Sequence, residues 1–198
     1  FKQLIETHQS EVLEALSIDL GKPSTEAFFE VIALRQELKL AEKHLTQWMS
    51  SKRVQIPLSL KPGEAIVKPE PLGCVLIIGP WNYPFSLTLQ PLISALAAGN
   101  TAVIKPSEQA PATSELIAEL IPKYFPKEIV RVFQGDGLLA SQLIEKSFDH
   151  IFFTGSSNIG KKIMAAAAKH LTPITLELGG QSPAIVIKGA NISVTAKR

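Results

Sequence analysis

Residues 151–171, IFFTGSSNIGKKIMAAAAKHL, open on an apolar run, pass through a turn of small polar residues, and continue at helical spacing through four alanines. That order reads as strand, turn, helix. Apolar runs of the same kind recur at 74–78, 101–105, 129–133, 174–178 and 184–187, with helical stretches between the runs. Short continuous apolar strands alternating with helices predict a parallel sheet buried on both faces, because an exposed face would show alternation. The fold class is therefore α/β from about residue 71 onward.

Upstream the pattern differs. Ile5, Val12, Leu13, Leu16 and Leu20 share one helical stripe that stops at Gly21, with Pro23 beyond. A single helix is expected there. Ser24 is placed to cap a second helix, in which Phe28, Val31, Leu34, Leu38, Ala41, Leu45 and Trp48 recur at spacings of three and four, ending near Met49. From Val54 the period becomes two, through Ile56, Leu58 and Leu60 to Pro62-Gly63, then Ala65 and Val67. This predicts a β-hairpin whose apolar side needs a cover, and another subunit is the usual one.

Composition narrows the function classes. With 198 residues, 45% of them hydrophobic and 19% charged, the chain has the makeup of a globular protein. A net charge of +2 gives no basis for a nucleic-acid surface. The one cysteine, Cys74, forms no disulfide framework, so a reducing, cytoplasmic setting is expected. No apolar run approaches the roughly 20 residues of a membrane helix, and no signal peptide is visible. His8, His44, His150 and His170 lack ligand spacing, so no metal site is expected. Asn191-Ile192-Ser193 fits the glycosylation pattern, and chance accounts for it. The chain starts at Phe1 and stops at Ala196-Lys197-Arg198 within a helical pattern, as a fragment would.

Ligands of such sheets bind at the carboxyl ends of the strands. At the end of 151–153, Thr154, Gly155, Ser156 and Gly160 form a glycine-containing entry to a helix, where backbone N–H groups and the helix dipole favour a pyrophosphate. The same residues also read as an ordinary turn capped by Ser156 or Ser157. Gly135-Asp136-Gly137-Leu138-Leu139-Ala140 fits a loose G-x-G-x-x-A fingerprint, but the expected acid about 20 residues on is missing, since Asp149 precedes the next strand. It reads as a turn beside the site. Lys105 and Glu108, in KPSE, place a cation and a carboxylate at one strand end; the carboxylate suits ribose hydroxyls, and a solvated ion pair is the alternative. Glu177 lies late in an apolar strand, where burial would raise its pKa toward the general-base range; structural ion pairing is the alternative. Asn82, between Trp81 and Tyr83, offers an amide donor for an oxyanion, or serves only the turn between Pro80 and Pro84.

PWNYP, KPSE, FTGSSNIG and LELGGQSP, in that order on one chain, resemble the NAD(P)-dependent aldehyde dehydrogenase superfamily. PWNYPF and KHLTPITLELGG are most similar to its class acting on fatty and aromatic aldehydes. The resemblance implies a Rossmann-like fold, with residues 1–52 as N-terminal helices, 53–70 as an oligomerisation hairpin, and 71–198 as the NAD(P)-binding domain. It implies that Asn82 is the oxyanion donor and Glu177 the general base. Lys105 and Glu108 would hold the adenosine ribose, and Gly155 and Gly160 would line the pyrophosphate path. Trp81, Thr154, Ser156, Leu178 and Gly179 would complete the cofactor surface, with Gly135 near the adenine. NAD is the expected cofactor, with NADP use allowed; an aldehyde is the substrate and a homodimer the assembly.

The resemblance also places the nucleophilic cysteine in a loop beyond Arg198, and so excludes Cys74. Cys74 sits between Gly73 and VLII in a strand expected to be buried on both faces, where an apolar setting raises a thiol's pKa and makes it inert. The chain alone is therefore expected to be inactive. A truncated nucleotide-binding or regulatory module is the rival reading, and a reductase of acyl phosphates or thioesters a third. The glutamate of LELGG favours hydrolytic release of an acid.

Overall fold

The computed structural model describes residues 1–197. A five-stranded parallel sheet is built from β3 (Cys74–Ile78), β4 (Thr101–Lys105), β5 (Val130–Val132), β6 (His150–Gly155) and β7 (Ile174–Leu178), in the order β5-β4-β3-β6-β7. The sheet starts at β3, works outward through β4 to β5, then the chain returns to lay β6 on the other side of β3. The loops after β3 and β6 therefore part in opposite directions, which opens the crevice that ligands of such sheets use.

Both faces of β3 are buried, and this is why its sequence runs apolar without alternation. Val75 and Ile77 join a core with α4 (Ser86–Ala97) and α5 (Pro111–Tyr124). Leu76 and Ile78 face the opposite way, into a second core with α6 (Gly137–Ile144) and α7 (Ser157–Ala168). Leu76 and Ile77 are sealed from solvent, and complete burial of such a side chain contributes about 1.5–3 kcal/mol.

Three N-terminal helices back the first core: α1 (Lys2–Thr7), α2 (Gln9–Leu20) and α3 (Ser24–Trp48), with α2 on α5 and α3 on α4. The stripe from Ile5 to Leu20 was expected to form one helix, yet the chain breaks at His8, whose backbone leaves helical geometry. Gly21 closes α2 in the left-handed conformation, as its position predicts. Ser24 does not cap α3; Pro23 holds that position and Ser24 is the first helical residue.

The hairpin forms from β1 (Lys52–Val54) and β2 (Ala65–Val67), with Arg53 opposite Ile66. Its first arm is shorter than the alternation predicts, because Leu58–Leu60 wind into a 3-10 turn. Leu58, Leu60, Ile66 and Val67 are exposed. No strand forms at 184–187, where Ile185 and Ile187 lie exposed; without a neighbouring strand, an apolar run has nothing to pair with. α8 (Ile192–Thr195) is capped by Asn191, so the Asn-Ile-Ser triplet is a helix start, while Arg198 of the expected terminal helix lies outside the described residues. Among the described residues no helix is long and apolar enough to cross a membrane.

Candidate active-site cleft

A cleft of about 1010 Å³ opens at the carboxyl end of the sheet and runs down one face between α4 and β6. That volume is at the upper end for small-molecule and cofactor sites. Three loops supply its mouth. The turn after β3 contributes Trp81 and Asn82, the β6–α7 turn Thr154, Gly155 and Ser156, and the end of β7 Glu177, Leu178 and Gly179. Strand register fixes the second and third of these, since Thr154 pairs with Glu177 and Gly155 with Leu178. Eight of the residues singled out in the sequence thus share one cavity.

The β6–α7 turn is a capped strand-to-helix turn whose geometry leaves room for an anion as well. Ser156 caps α7, its Oγ accepting from Ile159 N at 3.4 Å. The N–H groups of Ser157 and Asn158 have no acceptor among the described residues, so the positive end of the helix remains available to an anion. These residues fit a dinucleotide, with the pyrophosphate at the start of α7. Gly160 does not line the cleft: it is buried in α7 against β7, and an added Cβ would come 2.9 Å from Leu178 Cδ2. Its place supports close helix–sheet packing.

Lys105 and Glu108, at the end of β4 and just beyond it, are not in the cleft lining, although Ser107 and Gln109 on either side of Glu108 are. Lys105 is buried and donates from Nζ to Glu108 Oε2. Partial burial pushes the Glu108 carboxyl up, but the Lys105 hydrogen bond, a backbone hydrogen bond and the Lys105 charge together hold it below the usual carboxylate range. Asp136 is close enough for its charge to act on Glu108, which puts the GDG turn beside KPSE. Asp136 itself caps α6 through Leu138 N and Leu139 N, and Gly135 packs so tightly on Leu139 that a Cβ would meet its Cδ2 at 2.6 Å. The GDG segment is a strand-to-helix turn, and none of its three residues lines the cleft.

Two expectations are corrected. Glu177 is exposed: α4 packs on β3 and β4, and among the described residues Thr175 and Glu177 join neither core. The burial expected for Glu177 is therefore not found. Cys74 is half-buried rather than buried on both faces. It opens β3, so the length of the strand, roughly 13 Å for four residue steps, separates it from the mouth where Asn82 lies.

Sequence reasoning missed His150 and the pair Lys22–Glu30. His150 lines the far end of the cleft, its Nε2 3.0 Å from Thr175 Oγ1, and burial pushes its pKa down. Glu30 is buried at the heart of the first core, on the stripe shared by Ala27, Val31 and Leu34; a carboxylate on an apolar stripe was the available signal. Lys22 meets it at 2.7 Å.

Comparison with known proteins agrees with this geometry. The chain is 47% identical over 196 residues to aldehyde dehydrogenase family 3 member H1 of Arabidopsis thaliana, which aligns with 98% of this chain and 40% of that protein. It is 46% identical to the 4,4'-diaponeurosporen-aldehyde dehydrogenase of Staphylococcus aureus, over 98% of this chain and 42% of the relative. The chain spans about two fifths of the length of these relatives. The substrate-bound structure of Staphylococcus aureus AldH matches 97% of this backbone and 42% of its own, with a TM-score of 0.91 at 46% identity. Betaine aldehyde dehydrogenase of the same species, solved with NAD+, matches 98% of this chain and 39% of its own at a TM-score of 0.85 and 28% identity. The aldehyde dehydrogenase family profile extends from residue 1 to residue 198, so the sheet, the cleft and the four ordered motifs have one source: the chain belongs to the aldehyde dehydrogenase family.

Proposed function

We propose that this chain supplies the cofactor site, the oxyanion donor and the general base of an enzyme that oxidises an aldehyde to a carboxylic acid with NAD. One observation carries the reading: Asn82 and Glu177 line the same cleft as the start of α7. Asn82 Oδ1 accepts from Tyr83 N at 3.1 Å, and among the described residues its NH2 group has no acceptor. With its carbonyl occupied, the side chain presents a donor, as stabilisation of a developing oxyanion requires. Glu177 is an acceptor open to solvent, suited to take a proton from a water molecule that releases the acid.

Bound nicotinamide supplies the hydride acceptor. The start of α7 holds the pyrophosphate, and Glu108, kept ionised by Lys105, accepts from the adenosine ribose hydroxyls. The same charge opposes a 2′-phosphate and so favours NAD over NADP. The nucleophile is a cysteine outside this chain, and the exposed apolar side of the β1–β2 hairpin is the contact between subunits of a dimer.

The test is aldehyde-dependent reduction of NAD by the full-length protein, with cofactor binding measured alongside. Turnover supports the reading. Binding without turnover in the presence of hexanal and benzaldehyde would make the protein a nucleotide-binding module instead.

A further inference from the structure

Asn82 must be held still to act as an oxyanion donor, yet it is exposed on a loop. Beneath that loop lies an ion pair that none of the chemistry above uses. Lys22, in the turn between α2 and α3, donates from Nζ to Glu30 Oε1 at 2.7 Å and to the backbone carbonyl of Asn82 at 2.8 Å. The same Nζ lies 3.9 Å from the centroid of the Tyr83 ring. The other oxygen of Glu30, Oε2, accepts from Phe85 N at 3.1 Å and Ser86 N at 2.9 Å, so it caps the start of α4. The two side chains are 7% and 0% exposed.

Two buried charges are costly to desolvate, and an apolar pair of similar volume would often be as stable or more so. What the charges add is direction. Three hydrogen bonds and one cation–π contact pin both ends of Asn82-Tyr83-Pro84-Phe85-Ser86 to the ion pair, and Glu30 anchors that pair in α3. Each contact falls on a backbone atom or ring flanking the amide, and none on the amide itself, which stays free for substrate.

We propose that Lys22 and Glu30 are positioning residues for catalysis, fixing the Asn82 amide in the cleft through the Asn82 carbonyl and the first turn of α4. The inference rests on the oxyanion role given to Asn82 above. Losing an oxyanion donor outright costs about 10²–10³ in kcat, so a donor left in place but loosened should cost less, about 10–100-fold.

The test is a double-mutant cycle in the full-length protein, with hexanal as the aldehyde. Lys22→Met should lower kcat about 10–100-fold with NAD affinity within about 3-fold, whereas in an Asn82→Ala background it should lower kcat by no more than about 2-fold. Equal losses in both backgrounds would show a general structural role and overturn the proposal, as would an unchanged kcat. If Lys22→Met does not fold, Lys22→Met/Glu30→Gln takes its place, since it leaves no unpaired charge and keeps an acceptor for Phe85 N and Ser86 N. Amide hydrogen exchange over residues 74–87 is read on the same variants without aldehyde. The amides of Tyr83 and Leu87 should exchange at least about 5-fold faster while those of β3 stay unchanged. If the wild type oxidises no aldehyde, the functional reading fails on its own, and exchange alone decides whether the pair positions the loop: unchanged exchange overturns it.

Discussion

Thr154 and Glu177 sit directly opposite each other across β6 and β7, so the entrance to the proposed phosphate-binding turn and the proposed base are one cross-strand pair. Register, not loop conformation, sets their relation. A change of charge at Glu177 should therefore leave the α7 entrance where it is. Glu177→Gln is expected to lower turnover of the full-length protein by about 10²–10⁴, the range for losing a general base, while NAD affinity stays within a few-fold. Turnover, cofactor affinity and thermal unfolding measured on one preparation check this. Because Glu177 is exposed and makes no ion pair among the described residues, little change in Tm is expected.

Cofactor preference should follow Glu108. A carboxylate a few ångströms from a 2′-phosphate, in surroundings open to solvent, costs NADP about 1–1.5 kcal/mol, roughly tenfold in affinity. Glu108→Gln should narrow the gap to within about 3-fold. Partial burial pushes the Glu108 carboxyl up, but the Lys105 hydrogen bond and charge hold it below the usual carboxylate range, so Glu108 stays ionised and the preference for NAD should keep its direction from pH 8 to pH 5.5. Titration of both cofactors at several pH values reads this out.

Cys74→Ala should leave turnover unchanged and cost about 1 kcal/mol of stability, as for a typical packing loss at a half-buried site. The polar contact at this position is made by the backbone, Cys74 N to Asp149 Oδ2 at 2.7 Å, and alanine keeps it. Steady-state kinetics and thermal unfolding of the variant suffice.

The sheet was legible because burial on both faces leaves an uninterrupted apolar run: the bounds of β3, β4 and β7 were read directly from Cys74–Ile78, Thr101–Lys105 and Ile174–Leu178. The run at 184–187 has the same local pattern without a partner strand, and pairing is a tertiary property that no window of sequence contains. Glu177 shows the same limit on a smaller scale. Its strand was assigned correctly, but its exposure depends on which strands α4 packs on, some eighty residues away in the chain. Asn82, Thr154 and Glu177 announced themselves through their turns and strand ends. Lys22 did not, because its three partners lie 8, 60 and 61 positions downstream, and only the fold brings them together.

His150 should make the protein acid-sensitive. Its ring is half-buried at the far end of the cleft, with Nε2 against Thr175 Oγ1 and Nδ1 buried without a partner among the described residues. Burial disfavours the imidazolium and pushes the pKa in the folded protein below the unfolded value of about 6.5. The unfolded chain then binds more protons than the native one in the window between the two values. Stability conferred by the neutral ring is fully present above about pH 6.5 and is lost as pH falls through that window. His150→Gln, which cannot ionise, should flatten this dependence: the drop in Tm between pH 7.5 and pH 5.5 should be smaller than in the wild type. His170→Gln, at an exposed site, should leave the drop unchanged. Thermal unfolding of the three proteins across that range decides it, and parallel curves for wild type and His150→Gln would mean that the acid sensitivity arises elsewhere.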